Sequence, residues 1–186
     1  SVGHFQNVKK TIDFTGIKKH NCDFVRRLTG GSAVLHDQEL TYSLVVSEAH
    51  PKIPRSVNQA YFVLAQGILQ GYRNLQIEAD FALPEMKNRD RSAVCFETPA
   101  IYEMIVDGKK LTGNAQTRKK GVLLQHGSIP FRFNEKMLFD LFKFSSEQHR
   151  QRQRERFSQK AISIDDITNK KHDYEAGKSQ CKGCCP

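Results

Sequence analysis

Asp107-Gly108, set between an apolar run at 101–106 (IYEMIV) and the run that opens Lys109-Lys110-Leu111, is the tightest local constraint in this chain. A two-residue turn of this kind needs positive φ at both central positions, which Asp followed by Gly supplies at little cost, and its twist matches that of paired strands. The chain must fold back on itself here. A second turn at Lys119-Lys120-Gly121 leads into 122–129 (VLLQHGSI), so three antiparallel strands in a row are expected. The stretch 91–129 therefore delivers a cysteine, Cys95, through a polar loop (83–91, LPEMKNRDR) and then a lysine pair on a hairpin.

The remaining pattern alternates strands with helices. Asp13 precedes a short helical run that reaches His20, and two runs at 23–28 and 33–36 flank Thr29-Gly30-Gly31 in the manner of a hairpin. Residues 40–47 (LTYSLVVS) are rich in β-branched and aromatic side chains and predict a strand. Ser56 opens the clearest helix, whose apolar positions Val57, Tyr61, Leu64, Ala65, Ile68, Tyr72 and Leu75 recur at three and four. Residues 76–81 alternate like a half-buried strand. Asn134 predicts a helix over 135–144 with Leu138, Leu141 and Phe142 on one face, continued by the polar run from Gln148. Hydrophobic periodicity fades after Ile167, which divides the chain into a domain over 1–167 and an irregular, cysteine-rich tail over 168–186.

With 38% hydrophobic and 26% charged residues, the 186 positions suit one compact domain. The net charge of +9 and pI near 9.4 favour partners of negative charge. No apolar run reaches the roughly twenty residues of a membrane span, and no basic start precedes an apolar signal core. A cytoplasmic protein without membrane attachment is expected. Cys181, Cys184 and Cys185 crowd the last six positions, unlike a disulfide framework, and with His172 they fall short of a four-ligand zinc pattern. The chain opens at Ser1 without methionine, which reads as a fragment.

Several residues could carry chemistry. Cys95 is a potential nucleophile, with Arg91, Lys109 and Lys110 as cations able to favour its thiolate, although a cysteine between Val94 and Phe96 also reads as a packed small hydrophobe. Arg26 and Arg27 stand beside Gly30 and Gly31, where bare backbone admits close approach of a ligand, or merely a tight turn. His36, followed by Asp37, reads as a wall of a site or a structural hydrogen-bonder. The arginines of 148–154 lack interleaved aromatics to stack bases, so nucleic acid is not an expected partner.

Four motifs then stand in order: SVGHFQ (1–6), VRRLTGGSAVLHDQELTYS (25–43), RSAVCFETPAIYE (91–103) and DGKKLTGNAQTRKKGVLLQHGSI (107–129). Together they resemble the biotin/lipoate protein ligase superfamily, and within it the octanoyl-carrier-protein:protein octanoyltransferases of the LipM type. The resemblance implies an α/β (α+β) fold with a mixed, largely antiparallel sheet flanked by helices. It implies Cys95 as acyl acceptor and Lys110 as the lysine that meets the acyl carbonyl. Arg26, Arg27, Gly30, Gly31, His36, Gly113, Ala115 and His126 are the implied substrate-binding residues. Octanoyl-acyl carrier protein is the implied donor and a lipoyl-domain protein, such as the glycine cleavage H protein, the acceptor, with no cofactor or metal. Lipoate ligases share the arginine-glycine and lysine motifs without this cysteine, so an ATP-dependent ligase is the first alternative and a non-catalytic basic binding protein the second. Ser32 departs from the family, which has Arg or Gly there. Family elements expected before Ser1 and beyond Tyr174-Glu175 are missing from the sequence, which predicts poor folding or slow turnover.

Overall fold

The computed structural model describes residues 1–82 and 103–172; the expectations for Arg91, Cys95 and the cysteines of the tail lie outside them. Two small antiparallel sheets form the frame. The first has the order β1–β6–β5, from β1 (Glu39–Ser47), β6 (Val122–Pro130) and β5 (Gly113–Lys119). Its register sets Ser43 opposite His126 and Ala115 opposite His126 from the other side. The second has the order β2–β3–β4, from β2 (Asp80–Phe81), β3 (Met104–Val106) and β4 (Lys109–Lys110).

Both predicted turns form, and for the predicted reason. Asp107 and Gly108 have φ of 50° and 73°, and Lys120 and Gly121 have φ of 53° and 77°, the paired positive values of a type I′ hairpin. What does not form is a row of three strands. The return strand breaks after Lys110 and resumes at Gly113 in the other sheet. Leu111 and Thr112, both wholly buried, hold the crossing: the Leu111 amide donates to the Met104 carbonyl (2.9 Å), and the Thr112 hydroxyl meets the Tyr72 hydroxyl (2.5 Å).

Helix α3 (Val57–Asn74) starts at Ser56 and buries Ala60, Ala65, Leu69 and Tyr72. Its inner face packs with Ile77, Met104, Leu111, Ile129 and Phe131 into one core. A second core gathers Val2, Ile12, Leu138, Phe139, Phe142 and Phe157 beneath the short helices α1 (Val8–Thr11), α2 (Phe14–Lys19), α4 (Glu135–Asp140) and α5 (Glu147–Lys160). Each buried phenylalanine there contributes roughly 2–3 kcal/mol. Asp13 caps α2 through the Thr15 amide (2.8 Å), as its position predicts.

Three expectations are corrected. Residues 23–36 form no hairpin; they run as an extended loop whose backbone is tied to residues 1–4, with the Val2 amide on the Val25 carbonyl and the His4 amide on the Thr29 carbonyl (each 2.9 Å). The N-terminal segment thus takes the hydrogen bonds that a second hairpin strand would have used. The strand at 76–81 shrinks to two residues, after a positive-φ turn at Gln76. The helix from Asn134 stops at Asp140, and α5 is separate, capped by the Ser146 side chain on the His149 amide. Beyond it, α6 (Ile164–Thr168) opens with a Ser163–Asp166 capping box, and the fold continues to His172, which bonds Asp165.

Asp140 joins the helices. Its carboxylate takes Lys19 Nζ at 2.6 Å and His20 Nε2 at 2.8 Å, and these bonds hold its pKa down to about 2. A depressed carboxylate stabilises the fold above its unfolded pKa of about 4 and loses that contribution as pH falls toward 2. In urea titrations from pH 5 to 2, Asp140→Asn is expected to be less stable than wild type at pH 5 and to show a shallower acid loss. Parallel curves for the two proteins contradict this role.

Candidate active site

One cavity collects most of the residues singled out in the sequence. Gly113 and Ala115 of β5 and His126 and Ser128 of β6 line its floor, and Arg27, Val34 and His36 close it from the extended loop. The sheet supplies the floor because period-two alternation places Gly113, Ala115, His126 and Ser128 on one face. The loop is held over that face by Thr29, a buried residue whose hydroxyl meets His126 Nε2 at 2.7 Å. Burial, then the charges of Arg27 and His36, lowers the His126 pKa and keeps the imidazole neutral around pH 7.

Each loop residue has a definite partner. Arg27 Nη2 donates to the carbonyls of Gly30 (2.8 Å) and Ser32 (2.7 Å), clamping the glycine turn from beneath. Gly31 has φ of 94°, a backbone conformation that side chains rarely adopt, and a Cβ there would press on the Arg27 guanidinium at 2.9 Å. The carbonyl of Gly31 also sits where a side chain at Gly3 would be. Arg26 Nη1 donates to the carbonyls of Gly3, His4 and Gln6, so it binds the N-terminal segment to the loop. His36 is fixed between Glu39 Oε1 (2.7 Å) and Ser1 Oγ (2.8 Å).

Lys110 is set apart from this cavity lining. It is 2% exposed, and its Nζ lies 2.7 Å from Glu103 Oε2, a carboxylate as deeply buried. Its carbonyl accepts the Ile162 amide (3.0 Å), so strand β4 is pinned to the segment between α5 and α6. Cys95, the expected partner of Lys110, lies outside the described residues, and Glu103 is not among the residues expected at the site. The available signal was a lone carboxylate in the apolar run IYEMIV, which demands a buried cation.

A polar network on the opposite face of the first sheet was also unread. Tyr42 donates its hydroxyl to Asn114 Oδ1 (2.8 Å) and accepts from Gln125 Nε2 (3.2 Å), and Gln116 Nε2 donates to Gln125 Oε1 (3.0 Å). Burial pushes the Tyr42 hydroxyl pKa up, so it stays protonated. Asn114 Nδ2 and Ser128 Oγ are buried with no hydrogen-bond partner among the described residues. Such orphaned groups cost roughly 1–3 kcal/mol each, which a bound polar ligand atom recovers. No group of His, Cys, Asp and Glu among the described residues could hold a metal ion.

Gly127 makes this packing possible. A side chain there would lie 2.2 Å from Asn114 Oδ1 and 2.6 Å from the Tyr42 ring. Gly127→Ala is expected to cost about 1–3 kcal/mol, read as a lower urea midpoint at unchanged m. A stability equal to wild type contradicts the packing described.

Against this geometry stand the likenesses to known proteins. The sequence matches the lipoyl protein ligase A/B catalytic domain family over residues 1–183. It is 54% identical over 175 residues to an octanoyltransferase LipM of Oceanobacillus iheyensis and 52% identical over 177 residues to one of Bacillus subtilis, covering 94% and 92% of this chain. The chain spans 64% of the length of each of these relatives. In structure it is similar to a bipartite lipoate protein ligase of Thermoplasma acidophilum, with a TM-score of 0.75 at 20% identity over 97% of this chain and 63% of that one. A lipoate-protein ligase A bound with ATP gives a TM-score of 0.70 at 20% identity over 97% of this chain and 64% of that one. At that identity the likeness speaks for the fold, which is the expected α+β arrangement of antiparallel sheets flanked by helices. The match over residues 1–183 makes this chain a member of the lipoyl protein ligase A/B catalytic domain family.

Proposed function

We propose that the chain is the catalytic portion of an octanoyltransferase that moves an octanoyl group from acyl carrier protein, through a thioester on Cys95, to a lysine of a lipoyl-domain protein. The observation that carries this reading is the identity above half, across more than nine-tenths of the chain, with relatives named octanoyltransferase LipM. The retention of a cysteine in the 91–103 motif agrees with it.

The chemistry balances without an added energy source. The Cys95 thiolate attacks the carbonyl of the octanoyl thioester, forming a new thioester and releasing the carrier thiolate. The uncharged amine of the acceptor lysine then attacks the enzyme thioester, forming an amide, and after loss of the amine proton the Cys95 sulfur leaves as thiolate. Exchange between thioesters is nearly isoenergetic and amide formation runs downhill, so ATP has no role. Gly113 and Ala115 leave the cavity floor without large side chains, and Ser128 Oγ, on the same face and without a partner among the described residues, is suited to a carbonyl oxygen. Lys110, anchored by Glu103, is the cation this reading assigns to the acyl carbonyl and to favouring the thiolate. A reaction between two carrier proteins fits a cytoplasmic enzyme.

Incubation with octanoyl-acyl carrier protein is expected to give a hydroxylamine-labile octanoyl adduct on Cys95 by mass spectrometry. The adduct is then discharged to a lipoyl domain without ATP, and Cys95→Ala forms none. Wild-type transfer by Cys95→Ala, or a strict need for ATP with free octanoate or lipoate, overturns the reading in favour of a ligase.

A further inference from the structure

We propose that the helical layer of α1, α2, α4 and α5 is the docking surface for the acidic protein that carries the acyl thioester. This rests on the transferase reading and assigns the donor a place on the molecule.

The layer concentrates the charge of the chain. Residues 8–20 and 134–160 hold eleven Lys and Arg against five Asp and Glu, and so most of the +9 surplus. Contacts make them one surface. Lys143 Nζ on α4's C-terminal side donates to the Lys9 carbonyl of α1 (2.9 Å), and Lys19 of α2 and Arg150 of α5 approach the same Asp140 carboxylate, at 2.6 and 3.9 Å. The Asp140 carboxylate is thus already engaged, while Lys10, Lys18, Lys136 and Arg152 of these segments stand exposed. Helix α5 buries only Phe157, so nearly all its arginines face outward or lie at the edge rather than serve the core.

A groove beside this surface shares Val34 and His36 with the candidate site. It measures about 400 Å³, within the roughly 300–1,000 Å³ of small-ligand clefts. Ile17, Met137 and Phe142 line its helical end, and Val34 and His36, which also border the site cavity, line the other. The apolar lining discriminates between the two protein substrates. An acceptor brings a lysine side chain, whereas the donor brings the apolar acyl chain, so a mostly apolar groove with exposed Lys18 and Lys136 next in sequence to its lining residues Ile17 and Met137 fits the donor. An acidic carrier meeting this rim gains association rate through complementary charge. Exposed aromatics that would stack nucleic acid bases are missing from the arginine run of α5.

The test compares two octanoyl thioesters, one on acyl carrier protein and one on neutral N-acetylcysteamine, with wild type and the triple variant Lys18→Glu, Lys136→Glu, Arg152→Glu. For the protein-borne donor, the variant is expected to raise KM roughly tenfold or more at low salt with kcat little changed, and to lose the decline with salt that wild type shows. Single-turnover acylation of Cys95 by the small thioester is expected to be equal in both, which also certifies the fold of the variant. An unchanged KM and salt slope for the protein-borne donor overturns the docking surface. So does a salt-sensitive affinity for RNA that the variant abolishes while that KM stays the same. Absence of acylation from either donor overturns the transferase reading itself, and the docking proposal with it.

Discussion

The buried ion pair between Lys110 and Glu103 is the interaction on which the rest of the architecture hangs. Taking either charge out of water costs several kcal/mol, and the cost is offset only by close approach in a low-dielectric setting. The 2.7 Å separation supplies that approach. The pair is also placed where the chain changes sheets, one residue before the Leu111–Thr112 crossing, and its backbone reaches out on both sides. The Ala82 amide donates to the Glu103 carbonyl, and the Ile162 amide to that of Lys110. Backbone bonds at the two residues of the ion pair thereby tie β2, β3, β4 and the approach to α6 together.

The cavity has the complementary construction. Its floor is small and rigid because Gly113, Ala115 and Gly127 let strands, loop and polar network close up, and its roof is a loop with little regular structure. A loop of that kind is fixed by side chains, and here Arg27, Thr29 and Arg26 do so through carbonyls and a histidine. Residues that sequence reasoning assigned to substrate therefore have a prior occupation in holding the loop. The two roles are compatible for Arg27, His36 and His126, which border the cavity, while Arg26 spends its donors on residues 3–6.

What could be read from the sequence was local. Positive φ at Asp107-Gly108 and Lys120-Gly121, the β-branched run of β1, the periodicity of α3 and the cap at Asp13 are each decided by neighbouring residues, and each appears. The capping box formed by Ser163 and Asp166 is equally local, but it opens a helix of only five residues, too short to show hydrophobic periodicity. The switch of sheets at Leu111-Thr112 is different in kind. It depends on Tyr72, 40 residues before Thr112, and no pattern within the strand announces it. The loop over 23–36 failed as a hairpin for the same reason: residues 1–4 compete for its backbone. In the site, the ordered motifs marked the cavity residues, whereas Glu103, Thr29, Tyr42 and Asn114 emerged only from their partners.

The central claim is that Lys110 and Glu103 act as one buried unit, and a double-mutant cycle on folding stability reads that directly. Urea unfolding of Lys110→Met, Glu103→Leu and the double variant is expected to show each single change costing about 3–5 kcal/mol, since each takes the opposite charge away from a buried one. The double variant, with neither charge, is expected to cost clearly less than the sum of the two. Additive losses, or single changes that leave stability untouched, contradict the account.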